Sequence, residues 1–281
     1  MTDRNFIKMH GLGNDFVVLD RRVNGSAVTP ALARAVADRH TGIGCDQVIV
    51  IGESTTGLAD AELVFFNPDG GTSAACGNGT RCVASLLMGE TGAEHLALET
   101  GHGVLDADCR PNGEICVDMG LAKTEWRDIP LSEAADTLHL GISEGALSDP
   151  VGVNIGNPHA VFFVEDAAAI DLERLGPKLE HHKLFPERAN IGIADVRAKD
   201  RMRLRVWERG AGITLACGSG ACAATVAACR RQLTGRKVNI ELDGGVLKIE
   251  WLENGHVLMT GPVATSFTGA FDEALLADAS S

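Results

Sequence analysis

The chain has 281 residues, of which 45% are hydrophobic, 22% charged and 4% aromatic, with no tyrosine, 33 glycines and eight cysteines. That length fits two modest domains or one large one, and the apolar share is that of a globular protein, which excludes disorder, collagen and coiled coil as overall descriptions. Twenty-five Lys+Arg against 38 Asp+Glu gives a net charge of −13, a surface that repels phosphate backbones, so no nucleic-acid partner is expected.

The N-terminal residues carry no apolar stretch of a signal peptide, and no run approaches the ~18 apolar residues of a membrane helix. A cytoplasmic protein with no membrane partner is expected. Thiols stay reduced in that compartment, so the cysteines are packing residues, metal ligands or catalysts. Glycine stands at about 12% against a usual ~7%, which asks for many tight turns or close backbone approaches.

In chain order, apolar runs predict a strand at Phe16–Leu19, a helix at Pro30–Arg39, and strands at Gln47–Ile51 and Glu62–Phe66. A helix at Asn78–Glu90 and a strand at Glu114–Asp118 follow, then a strand at Ala160–Val164 and a helix at Asp171–His181. The last part reads as a strand at Met202–Trp207, a helix at Ser219–Gln232, and strands at Lys237–Leu242, Val246–Trp251 and His256–Thr260. Pro111-Asn112-Gly113, Asp243-Gly244-Gly245 and Glu253-Asn254-Gly255 mark hairpin turns. Mostly antiparallel strands with occasional helices make an α+β fold.

The chain repeats itself. Ala75-Cys76-Gly77-Asn78-Gly79 recurs as Ala216-Cys217-Gly218-Ser219-Gly220, at an offset of 141 residues, and Asn67 falls opposite Glu208 at the same offset. Each copy follows a strand and a Gly-containing loop, and precedes a small-residue helix with a second cysteine, Cys82 or Cys222. Gly13-Asn14 matches Gly156-Asn157, and Gln47 matches Asn190, at an offset of 143. That period exceeds the ~20–50 residues of a solenoid repeat, so two homologous lobes facing each other are expected.

Cys-Gly-Asn/Ser-Gly at a strand-to-helix junction has a definite chemistry. Free N–H groups at a helix start suit a carboxylate, and the same field is expected to lower the pKa of a neighbouring thiol. Two such loops could place a thiolate and a thiol on opposite faces of one carbon, the arrangement needed to invert a stereocentre next to a carboxylate. Cys45, Cys109, Cys116 and Cys229 are expected to be buried packing residues, and Cys82 and Cys222 to pack behind the loops. With no Cys-x-x-Cys and no histidine at ligand spacing, no metal is expected. His181-His182 reads as a solvated helix end. Gly11-Leu12-Gly13-Asn14 and Gly42-Ile43-Gly44-Cys45 do not complete a dinucleotide fingerprint, and no P-loop appears.

Lys8-Met9-His10-Gly11-Leu12-Gly13-Asn14-Asp15-Phe16, the stretch from Asn67 to Cys82, and Glu208-Arg209-Gly210-Ala211-Gly212 through the second cysteine loop resemble the diaminopimelate epimerase family, and the similarity spans nearly the whole chain. The resemblance implies an epimerase that needs no pyridoxal or other cofactor and interconverts LL- and meso-2,6-diaminopimelate, a step towards lysine and peptidoglycan. It implies two pseudo-symmetric lobes, each a curled, barrel-like, mostly antiparallel sheet around a central helix. The lobes are expected at 1–118, with 263–281 returning to the first, and at 119–262. Carried over residue by residue, Cys76 and Cys217 resemble the acid/base thiols, with His159 and Glu208 assisting at the reacting centre. Gly77, Asn78, Gly218 and Ser219 resemble the backbone donors to the reacting carboxylate. Asn67, Asn157, Asn190 and Arg209 resemble the clamp on the distal amino-acid group, with Asn14 and Gln47 completing the pocket for this small-molecule substrate. A homodimer is expected. Phe267 stands where the family often has tyrosine. The alternatives are a proline or hydroxyproline racemase of the same architecture and, from another class, a non-catalytic thiol- or metal-binding module.

Overall fold

A computed structural model of the chain describes residues 3–25 and 27–272. The chain divides into two compact units, residues 1–117 with 261–281, and residues 118–260.

The first unit opens with a hairpin of β1 (Asp3–Gly11) and β2 (Asn14–Asp20). Leu12 and Gly13 make its turn at φ +56° and +83°, the left-handed pair that a two-residue hairpin favours. A short helix α1 (Arg21–Asn24) leads to α2 (Pro30–Ala37), which starts on a Thr29 cap with proline in its first turn. This helix ends two residues before the expected Arg39. Asp38 leaves the helical conformation, and its Oδ1 accepts the N–H groups of His40 and Thr41, each at 2.7 Å. Then come β3 (Gln47–Gly52), β4 (Ala61–Phe66), β5 (Thr72–Ser73), α3 (Gly77–Thr91), β6 (His95–Thr100), β7 (Gly103–Cys109) and β8 (Ile115–Leu121). Helix α3 packs against β1, β2, β6 and β7, so the sheet curls around it. Leu32 and Val36 of α2 cover the other face of β2 and β3 with Val17, Leu19, Val48 and Val50. Buried on both faces, β2 reads as a continuous apolar run rather than an alternating one.

The second unit begins with a small hairpin, β9 (Ser143–Glu144) and β10 (Leu147–Ser148), followed by β11 (Val151–Asn154) and β12 (Pro158–Val164). Helix α4 (Leu172–Glu180) leads to β13 (Asn190–Ala198), β14 (Arg201–Glu208) and β15 (Gly212–Ile213). Then follow α5 (Gly218–Arg230), β16 (Lys237–Leu242), β17 (Gly245–Trp251) and β18 (His256–Gly261). Helix α5 touches β11 to β14, β16 and β17, and Ala221, Ala223, Ala224, Ala227 and Ala228 on it are fully buried. Small side chains let the strands close around the helix on all sides. Leu172, Leu175 and Leu179 of α4 cover the outer face with Ile191 and Ile193 of β13. The last described strand is β19 (Ala264–Asp272), which belongs to the first unit and pairs antiparallel with β1. The expected return of 263–281 is described only as far as Asp272; residues 273–281 lie outside the described residues.

The internal repeat is written in the strand register. Phe16 pairs with Gln47 in the parallel β2–β3 ladder, and His159 pairs with Asn190 in the parallel β12–β13 ladder. Val48 faces Phe66, and Ile191 faces Trp207, in the antiparallel ladders that follow. A second parallel pairing joins β4 to β6 and β14 to β16. The sheets are therefore mixed, mainly antiparallel with two parallel joints in each unit. Each such joint needs a crossover, which α2, α3, α4 and α5 supply.

Candidate active site

In the first unit, β4 runs into a turn in which Asn67 N–H donates to the Gly71 carbonyl at 2.8 Å and Gly70 sits at φ +81°. After β5 the chain enters α3 with Cys76 as N-cap, in extended conformation at φ −143°. The Cys76 carbonyl accepts from Thr80 N at 2.8 Å and from Thr80 Oγ1 at 2.9 Å, which locks the first turn. Gly77 and Asn78 follow at the N-terminus, where backbone N–H groups have no intrahelical acceptor and the dipole favours an anion. The Cys76 thiol faces Asn14 Oδ1 at 4.0 Å, and Asn78 Nδ2 donates to the same oxygen at 3.1 Å. On the next strands, Gln47 Nε2 donates to Asn67 Oδ1 at 2.9 Å.

The second unit repeats the turn and the helix start with different side chains. Cys217 caps α5 at φ −108°, and its Sγ accepts from Gly220 N at 3.4 Å and lies 3.7 Å from Ser219 Oγ. Glu208, at the end of β14, hydrogen-bonds the Cys217 sulfur and accepts from Thr214 Oγ1. Burial, with the Glu208 carboxylate beside it, pushes the Cys217 thiol well above its ordinary value, against the Gly220 N–H and Ser219. This corrects the expectation that the helix start lowers it. Desolvation and a facing negative charge both penalise thiolate, and together they outweigh one long N–H···S bond and the dipole. At rest Cys217 is a thiol.

His159, on β12, is buried, and its Nε2 lies 2.7 Å from Asn157 Oδ1. Burial, with a smaller contribution from the Arg209 charge, pushes the imidazole down to about 3, so it is neutral. Asn190, at the start of β13, donates from Nδ2 to the Pro158 carbonyl at 3.0 Å and accepts Arg209 N–H on Oδ1 at 2.9 Å. The Arg209 guanidinium donates to the Glu187 carbonyl at 2.8 Å.

The fourteen residues singled out in the sequence thus form three clusters and one pair, each within its own unit. Asn14, Cys76, Gly77 and Asn78 stand together in the first, with Gln47 and Asn67 as a separate pair. In the second, Glu208 joins Cys217, Gly218 and Ser219, while Asn157, His159, Asn190 and Arg209 form a linked set. Three residues were missed. Asp46 accepts from Asn14 Nδ2 at 2.8 Å. Thr214 holds Glu208. Glu180, buried at the end of α4, accepts from Trp207 Nε1 at 2.7 Å and Gly210 N at 3.1 Å, on either side of Glu208-Arg209. Only Asp46 had a nearby signal, its place between Gly42-Ile43-Gly44-Cys45 and Gln47.

The remaining cysteines divide. Cys45, Cys82, Cys116 and Cys222 are buried and Cys229 is partly so, but Cys109 is exposed at the end of β7, not buried as expected. It pairs with Ile115 at the last position of the β7–β8 ladder, and its Sγ donates to the Arg110 carbonyl at 3.6 Å. Cys82 and Cys222 are also not equivalent positions. At the 141-residue offset Cys222 matches Arg81, a fully buried side chain. Among the described residues no cluster of three metal-ligating side chains occurs, and no helix is long and apolar enough to cross a membrane.

Residues 6–125 and 151–266 match the profile of the family described as diaminopimelate epimerase. The diaminopimelate epimerase of Rhodospirillum centenum is 58% identical over 273 residues, covering 97% of this chain and 94% of that protein. That of Acidiphilium cryptum is 56% identical over 274 residues, covering 98% of both. Among solved structures, a phenazine biosynthesis protein of the PhzF family from Bacillus anthracis superposes with a TM-score of 0.70 at 14% identity, covering 97% of this chain and 100% of that one. A hydroxyproline epimerase from Agrobacterium vitis gives 0.69 at 16% identity, covering 98% and 94%. These two share the fold alone, as the racemase alternative requires. Identity above one half along nearly the full chain decides between the branches, and this chain belongs to the diaminopimelate epimerase family.

Proposed function

We propose that the chain interconverts LL- and meso-2,6-diaminopimelate by proton transfer at one α carbon, with Cys76 and Cys217 as the two transferring groups and no pyridoxal cofactor. The observation that carries this reading is the thiol at the start of a central helix, present once in each unit at matched strand register. One sulfur, as thiolate, takes the α proton; the C–H electron pair passes into the carboxylate; the other sulfur, as thiol, returns a proton to the opposite face. Proton count and charge balance, and in the reverse direction the thiols exchange roles. Cys217, a thiol at rest, enters as the donor. The N–H groups of Gly77, Asn78, Gly218 and Ser219 receive the carboxylate as negative charge builds on it. His159 and Glu208 assist at the reacting centre. Asn67, Asn157, Asn190 and Arg209 take the distal group, where amides that donate and accept, plus one guanidinium, suit a zwitterion, and Asn14 and Gln47 complete the pocket.

The test is hydrogen exchange. LL-diaminopimelate in D2O, with no pyridoxal phosphate added, gains deuterium at one α carbon as the meso isomer forms. Replacing Cys76 or Cys217 by Ala stops epimerisation; full activity in either variant overturns the two-thiol assignment.

The same reading makes the protein a cytoplasmic homodimer without a nucleic-acid partner. The net charge of −13 and the exposed residues along β19, Phe267 among them, support it. Light scattering at micromolar concentration giving the mass of one 29.5 kDa chain would remove the dimer from it.

A further inference from the structure

Asn14 presents its oxygen, not its NH2, to Cys76, and the reason lies behind it. Asp46 Oδ2 accepts from Asn14 Nδ2 at 2.8 Å and from Asp15 N–H at 3.1 Å. A carboxylate can only accept, so it fixes the amide with nitrogen towards Asp46 and oxygen towards Cys76 and Asn78. Asp46 is itself held. Its Oδ1 accepts Arg39 Nη2 at 2.7 Å, and its N–H donates to the Asp15 carbonyl at 3.0 Å. Arg39 also donates to both Asp15 oxygens, at 2.7 and 3.2 Å, and buried Lys8 completes the cluster on Asp15. Arg39 reaches this position because α2 stops at Ala37 and Asp38 turns the chain.

We propose that Asp46 is a positioning residue that orients the Asn14 amide so that an acceptor oxygen faces the Cys76 sulfur. This rests on the reading of Cys76 as a proton-transferring group. An acceptor facing the sulfur favours S–H over thiolate and makes the thiolate the stronger base for a weakly acidic C–H. In the second unit the Glu208 carboxylate plays that part directly on Cys217. The first unit does it through a neutral amide, with the charge one residue further back.

The experiment is Asp46→Asn, which keeps the shape but can donate, and so allows Asn14 to turn its NH2 towards the sulfur. Site-resolved alkylation with iodoacetamide at fixed pH reads the result by mass spectrometry. Cys76 is expected to react several-fold faster, while Cys45, buried beside Asp46, stays as protected as in the parent. In the same variant kcat for epimerisation falls about tenfold with a smaller change in KM, the pattern of a weakened base rather than lost binding. An unchanged Cys76 rate overturns the proposal. So does a parallel rise at Cys45, because that reports local loosening instead of a turned amide. Alkylation needs no substrate, so a parent protein that fails to epimerise diaminopimelate would overturn the proposed function while this arm still decides the role of Asp46.

Discussion

His159 Nε2 donates a hydrogen bond to Asn157 Oδ1 across 2.7 Å, and its other ring nitrogen, Nδ1, is buried without a hydrogen-bond partner among the described residues. A proton on Nδ1 would have to be held there away from bulk solvent with no protein acceptor. Burial therefore takes the imidazole down to about 3, against 6.5 for an unfolded histidine. The folded value lies below the unfolded one, so the contribution to stability is complete above pH 6.5 and is lost as the pH falls towards 3. The slope is about 1.4 kcal/mol per pH unit in that window. Thermal melts of His159→Gln are expected to depend less on pH between 6.5 and 4.5 than those of the parent; equal slopes would place the proton elsewhere.

Glu208 and Cys217 form the matching pair at the second helix start. The carboxylate contributes to the high pKa of the thiol by its charge and by its hydrogen bond, after burial. Glu208→Gln removes the charge and keeps the size. Alkylation of Cys217 is then expected to set in at lower pH than in the parent, and epimerisation to slow by about a hundredfold, the scale of a lost acid/base partner. An unshifted alkylation profile would mean that burial alone holds the Cys217 proton.

Glu208 and Cys217 were exposed in the sequence through repetition, and His159 only through the family resemblance. Gly13-Asn14 with Gly156-Asn157, and Gln47 with Asn190, carried the offset that the parallel ladders at Phe16–Gln47 and His159–Asn190 reproduce in space. Strand β19 was not legible, because Thr265, Ser266, Thr268 and Gly269 carry no apolar period and most of the strand is exposed. Strand β13 was missed for a related reason. Its first residues, Asn190-Ile191-Gly192-Ile193-Ala194, are all buried, and small residues there replace the bulky run that marks a strand. Buried charges left no trace at all. Lys8, Arg81 and Glu180 look like surface residues until the fold supplies their partners, since burial of a charge depends on chain segments distant in sequence.

Lys8 gives the third prediction. Burial alone would raise the Asp15 carboxyl, but hydrogen bonds and charge from Arg39 and Lys8 prevail and hold it at about 2. The folded value lies below the unfolded 3.8, so this stabilisation is present above pH 3.8 and is lost as the pH falls towards 2. Lys8→Met leaves Asp15 with the exposed Arg39 as its remaining cation, at an expected cost of about 3 kcal/mol. Urea unfolding at pH 7 measures it, and the gap from the parent should narrow in acid. A gap independent of pH would assign the loss to packing of the Lys8 stem rather than to its charge.

The last prediction separates two reasons for glycine in the cysteine loops. Gly79 and Gly220, the second glycine of each copy, do not occupy the left-handed region where glycine is conformationally required. They are needed for space. A Cβ at Gly79 would stand 2.7 Å from Ile49 Cδ1 and 3.0 Å from Phe65 Cε1; at Gly220 it would stand 3.0 Å from Val206 Cγ2 and 3.1 Å from Cys217 Sγ. Phe65 and Val206 are equivalent strand positions, so each helix start is pressed onto the same point of its sheet. Gly79→Ala is expected to destabilise by about 1–3 kcal/mol through overpacking, with Cys76 left in place. Gly220→Ala presses on the sulfur itself and lengthens the Gly220 N–H···Sγ bond, now 3.4 Å. Its loss of kcat should therefore exceed that of Gly79→Ala at equal loss of stability. Equal kcat in the two variants would show that the Cys217 sulfur can move aside without effect on the reaction.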